Sequence, residues 1–180
     1  MFDDARQLEI IDDKTEIIKN ASKDIDNAKK VLKRNMRYKS ILYTSGDELV
    51  DVVFEILEQM LGCDLSGFND VKKEDFNFEI DDKVFIGEIK GVTSNVKNAN
   101  VSQLDIHVQN YIDEHEVDKE NIVSLLIIDH QRNKPLSQRE EVHNNAIELA
   151  IRNKSLIIET ITLLRMFEKY LSGELNRKKL

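Results

Sequence analysis

The stretch that decides the fold is Asp75-Phe76-Asn77-Phe78-Glu79-Ile80-Asp81-Asp82-Lys83-Val84-Phe85-Ile86-Gly87-Glu88-Ile89-Lys90-Gly91. It predicts a hairpin, with strands over 75–80 and 84–90 turning at Asp81, Asp82 and Lys83. Side chains alternate faces along a strand, so Glu88 and Lys90 share one face, roughly 7 Å apart. Such a hairpin would bring Asp75 beside them. Two carboxylates and an ammonium on a sheet surface suit a hard divalent cation and the water it activates. The triplet taken alone also fits a solvated strand face. Gly87 and Gly91 flank it, as a close backbone approach or a bend would require.

The rest of the chain places this hairpin in an α/β order. Upstream, Leu49, Val52, Val53, Ile56, Leu57, Met60 and Leu61 recur at helical spacing over 47–61, with Gly62 as the expected C-cap. Downstream come a polar loop over 92–100 and a helix over 101–114. Then follows a continuous apolar run, Ile122-Val123-Ser124-Leu125-Leu126-Ile127-Ile128, that reads as a strand covered on both faces. A helix over 140–153, a short strand over 155–158 and a closing helix over 161–172 complete the series. Hairpin strands followed by strand–helix alternation predict a mixed sheet between helices.

Residues 5–39 read as one long helix. Ile11, Ile18, Ile25 and Leu32 recur every seven residues, and Ala21 and Ala28 fill the intermediate positions. The helix either packs on its own domain or acts as a coiled-coil arm, so a homodimer is one expectation. Residues 29–39 hold six cations and no acid. Lys29, Lys33 and Arg37 fall on a shared face, as a solvated helix surface or as phosphate contacts.

Composition sets the outer bounds. The 180 residues carry 26 Lys and Arg against 34 Asp and Glu, a net charge of −8, which argues against a passive nucleic-acid binder. A bound cation would offset the acidic cluster locally. With 41% apolar and 33% charged residues, a soluble globular domain is expected. No apolar run is long enough to span a membrane, and the start of the chain carries no signal-peptide pattern, so a cytoplasmic location is expected. The single cysteine, Cys63, excludes an internal disulfide. Neither zinc-ligand spacing, a Ser/His/Asp order nor a phosphate-binding glycine loop is present.

The ordered pieces resemble the PD-(D/E)xK nuclease superfamily, which has the restriction-endonuclease-like fold. Beside Asp75 and Glu88-Ile89-Lys90 stand Gly46-Asp47-Glu48 at the head of a helix and Gln103 on the helix after the lysine strand. Ile127-Ile128-Asp129 then leads to Pro135-Leu136-Ser137-Gln138-Arg139, and Leu156-Ile157-Ile158-Glu159-Thr160 leads to the last helix. The match covers about 45–173. The superfamily's proline is absent, and Glu74 stands before Asp75.

The resemblance implies a domain over 45–180 preceded by a helical arm over 1–44. It implies hydrolysis of phosphodiester bonds with Mg²⁺ or Mn²⁺ held by Asp75, Glu88 and the carbonyl of Ile89. Lys90 would orient water or neutralise charge. Glu48 would tune the metal, although helix dipoles also favour a glutamate in a first turn. Gln103 would hold water or phosphate, His107 one turn later would edge the site, and Glu79 would be an outer ligand. Arg139 is expected to brace a carbonyl or carboxylate. DNA is favoured over RNA, in restriction, repair or defence. The rival readings are a ribonuclease on the same fold and a catalytically silent assembly module.

Overall fold

The computed structural model describes residues 3–65, 76–80 and 83–176. It divides into two compact units, Met1–Arg37 and Tyr38–Leu180. The first is helical: α1 spans Asp4–Lys39, and every residue from 3 to 37 is exposed.

The second unit begins with Tyr38 and Lys39, the last residues of α1, then a short 3-10 turn, Ser40–Leu42, and α2 (Asp47–Leu61). Helix α2 ends at Gly62 in the left-handed conformation, whose N–H donates to the Glu58 carbonyl, as the sequence predicts. Strands β1 (Phe76–Ile80) and β2 (Lys83–Gly91) form the hairpin, with Phe76 opposite Gly87 and Ile80 opposite Lys83. Then come α3 (Asn98–His115), β3 (Ile122–Asp129), α4 (Asn144–Asn153), β4 (Ser155–Glu159) and α5 (Thr160–Leu171). Helix α4 starts four residues later than the expected 140. Glu140 instead belongs to the loop that follows Arg139, and its N–H donates to the Gln131 side chain.

The sheet has the order β1-β2-β3-β4. β1 is antiparallel to β2, and β2, β3 and β4 are parallel. Helices cover both faces, and alternate residues of β3 enter the two cores. Leu125 and Ile127 meet Leu49, Val53 and Ile56 of α2 and Phe167 of α5. Leu126 and Ile128 meet Leu104 and Val108 of α3 and Ala146 of α4. This double cover is why 122–128 is apolar without alternation.

The glycines beside the Glu-x-Lys triplet are explained by packing. A Cβ on Gly87 would overlap the ring of Phe76 across the hairpin. A Cβ on Gly91 would lie 2.5 Å from the Thr44 carbonyl oxygen, so the turn before α2 could not come so close to the end of β2.

Candidate functional site

The site grows out of one face of β2. Val84, Ile86, Glu88 and Lys90 alternate onto the side covered by α3, and the first two are core residues there. The row therefore runs from apolar to ionic toward the C-terminal end of the strand. Ile89, between the two ionic residues, turns its side chain into the opposite core.

Glu88 is 4% exposed, so it is not on an open surface. A buried carboxylate is costly unless its oxygens are matched. Lys90 Nζ lies 2.9 Å from Glu88 Oε2. The Gln103 amide donates to Glu88 Oε1 at 3.2 Å, and Lys90 donates to Gln103 Oε1 at 2.8 Å. Carboxylate, ammonium and amide thus close a three-membered ring of polar contacts between β2 and α3. The amide can fill this place because it donates and accepts at once.

His107, one turn beyond Gln103, completes the cluster. Its Nδ1 stands 2.8 Å from Glu88 Oε1 but is not aligned for a hydrogen bond, and it is buried without another partner. The i, i+4 spacing of Gln103 and His107 is the sequence signal for this contact. Its closeness to Glu88 is a tertiary fact.

Asp75, the expected second ligand, lies outside the described residues. Glu48 sits exposed in the first turn of α2 and makes no hydrogen bond or ion pair with the Glu88 cluster. Glu79 is exposed on β1. Lys29, Lys33 and Arg37 are exposed on α1, where Lys29 Nζ lies 3.7 Å from Asp26 Oδ1. Among the described residues, no three of His, Cys, Asp and Glu gather around one point. Glu88 and His107 bring an oxygen and a nitrogen donor to one place. The Glu88 carboxylate oxygen is the donor type a hard divalent cation takes, and further oxygen ligands would be needed to complete the set.

A second ionic group stands at the end of β3 and braces the site's surroundings. Asp129 is fully buried, and its Oδ1 accepts from Arg139 Nη1 and from the Thr160 hydroxyl. Arg139 Nη2 also donates to the Leu42 carbonyl at 2.6 Å, and Nε to the Lys134 carbonyl at 3.2 Å. Arg139 is the brace expected from the sequence, tying the Pro135 loop to the turn before α2. Burial pushes the Asp129 carboxyl above its ordinary range, while the hydrogen bond and charge of Arg139 pull it back.

No known protein family matches the chain, and no curated protein does. Among solved structures it is similar to restriction endonuclease FokI, with a TM-score of 0.56 and 14% sequence identity. The alignment covers 78% of this chain and 28% of that one, so the chain spans less than a third of that enzyme's length. At this identity the likeness is one of architecture, and the fold is restriction-endonuclease-like: a four-stranded mixed sheet flanked by helices.

Proposed function

We propose that this chain is a metal-dependent nuclease that hydrolyses phosphodiester bonds in nucleic acid, DNA in preference to RNA. The observation that carries the reading is the state of Glu88. A solvated strand face would leave this carboxylate in water. Instead it is buried near the end of a strand and held by Lys90 and Gln103, with the His107 Nδ1 2.8 Å from its Oε1. A buried carboxylate is costly unless its oxygens are matched, so this arrangement is a built cluster and not ordinary surface. The likeness to a restriction endonuclease supports the same class at the level of fold.

Asp75, Glu88 and the carbonyl of Ile89 would hold Mg²⁺ or Mn²⁺. When bound, such an ion supplies charge stabilisation at a phosphoryl oxygen and lowers the pKa of a bound water. Glu88 offers its carboxylate in a fixed orientation, because Gln103 holds one oxygen and Lys90 the other. Lys90 carries three N–H donors, of which Glu88 and Gln103 take two. A donor beyond those two suits the orientation of an attacking water, or a phosphoryl oxygen as its charge grows. Glu48 is proposed to tune the ion. Residues 45–180 would form the nuclease domain and 1–44 its arm, with Lys29, Lys33 and Arg37 contacting phosphates.

The test is cleavage of plasmid, single-stranded DNA and RNA with Mn²⁺ or Mg²⁺, and with chelator. The protein should nick DNA only with metal. Glu88→Gln and Asp75→Asn should abolish nicking, and Lys90→Met should slow it by roughly 10²–10³-fold, the scale for losing one charge-stabilising donor. Each variant should keep the wild-type circular dichroism spectrum. Cleavage by Glu88→Gln at the wild-type rate, or none by the wild type with either metal, would overturn the assignment.

A further inference from the structure

His107 belongs to the Glu88 cluster but has no part in the hydrolysis proposed above. It is 8% exposed. Its Nδ1 lies 2.8 Å from Glu88 Oε1, closer than Gln103 or Lys90 comes to that carboxylate, and it has no hydrogen-bond partner. Packing fixes where the imidazole stands. Leu104 and Val108, its neighbours along α3, are core residues in one cluster with Val84 and Ile86 of β2.

So short a contact without a hydrogen bond has a specific geometric meaning. A hydrogen bond needs the N–H to point along the line to its acceptor. Ligands of one ion meet a different condition. Two cis ligands of an octahedral ion, each about 2.1 Å from it, stand about 3 Å apart, with each lone pair aimed about 45° off the line between them. A 2.8 Å separation that fails as a hydrogen bond suits such a pair. Glu88 Oε1 also has a lone pair to spare. It accepts one hydrogen bond, from Gln103, and a carboxylate oxygen carries two lone pairs.

An imidazole among the ligands changes which ion binds. Mg²⁺ takes oxygen ligands and gives up its waters reluctantly. Imidazole nitrogen favours first-row transition metals, and Mn²⁺ takes carboxylate and water as well.

The geometry points to His107 Nδ1 as a ligand of the ion that Glu88 holds, and to Mn²⁺ rather than Mg²⁺ as that ion. This rests on the metal-dependent reading of the site and deepens it. The proposed ligands Asp75, Glu88 and the Ile89 carbonyl supply oxygen, and His107 adds the nitrogen that separates the two ions.

The full chain with Mn²⁺ and no substrate gives a readout apart from cleavage. Electron spin-echo spectra of the bound ion should show modulation from a directly coordinated imidazole nitrogen. Protein grown with ¹⁵N-histidine should show the altered isotope pattern. His107→Gln should lose the modulation, whereas His115→Gln, exposed at the end of the same helix, should keep it. In calorimetric titrations, His107→Gln should weaken Mn²⁺ by at least about 10-fold, the scale for losing even a partner outside the ligand set, and Mg²⁺ by less than about 3-fold. His107→Asp, which puts an oxygen in its place, should bind both ions and narrow the gap between them. The wild-type spectra carry the test even if His107→Gln fails to fold. Bound Mn²⁺ without nitrogen modulation in the wild type would overturn the inference. So would modulation that survives His107→Gln, or equal losses for the two ions. In each of these cases Mn²⁺-dependent nicking by the wild type would leave the nuclease assignment standing. A wild type that binds neither ion would remove that assignment and the ligand role together.

Discussion

At the scale of single residues, Glu88 and Asp129 are both buried carboxylates held by polar side chains. Glu88 is held by an ammonium and an amide on its own face of the sheet. Asp129 meets a guanidinium and a hydroxyl, yet burial outweighs them and its proton is held more tightly than in water. The consequence has a definite sign. A carboxyl whose folded pKa lies above the unfolded one contributes stability that is fully present below the unfolded value. That contribution is lost as pH rises through the folded value. The stability of the wild type relative to Asp129→Asn should therefore fall as pH is raised from below 3.8, the ordinary value for this group. Thermal unfolding of both proteins across that range measures it. A wild-type advantage that grows with pH would mean that Arg139, not desolvation, dominates the site.

At the scale of elements, the hairpin is locked by shape as well as by its ladder. The Phe76 ring lies where any side chain on Gly87 would stand, and it stacks on Phe78, which stacks on Phe85. Gly87→Ala should force the ring aside and cost about 1–3 kcal/mol, the usual range for overpacking. Because β2 carries Glu88 and Lys90, nicking activity should fall with it. Denaturant unfolding of Gly87→Ala, Phe76→Leu and the double variant checks the cause. The double variant should lose less than the two single losses added together, by at least about 0.5 kcal/mol. Strict additivity would place the strain elsewhere.

At the scale of the whole molecule, charge is divided. The chain carries a net charge of −8, while residues 29–39 hold six cations and no acid. If Lys29, Lys33 and Arg37 bind phosphates, replacing all three with glutamine should weaken duplex binding equally across sequences. It should also flatten the plot of log affinity against log salt by about 0.9 for each phosphate no longer neutralised. Titration of labelled duplex in Ca²⁺, which avoids cleavage, reads this slope. An unchanged slope would leave substrate binding to the second unit alone. No helix among the described residues is long and apolar enough to cross a membrane.

The sequence by itself determined the order of elements and the kind of sheet. Periodicity is local, so 47–61 reads as a helix, and an unbroken β-rich run such as 122–128 reads as a doubly covered strand. The alternation that puts Glu88 and Lys90 on one face is equally local. The start of α4 was not legible, because Glu140 and Glu141 also suit the first turn of a helix, and in the structure Glu140 is in the loop with its N–H on the Gln131 side chain. Tertiary structure alone decided that Glu88 is buried, that His107 approaches it, and that Arg139 reaches Leu42, a residue 97 positions away. These facts depend on how α3 lies across β2 and how the Pro135 loop returns to the turn before α2. Burial and long-range contact are set by the packing of whole elements, and no local pattern of residues encodes the distance between them.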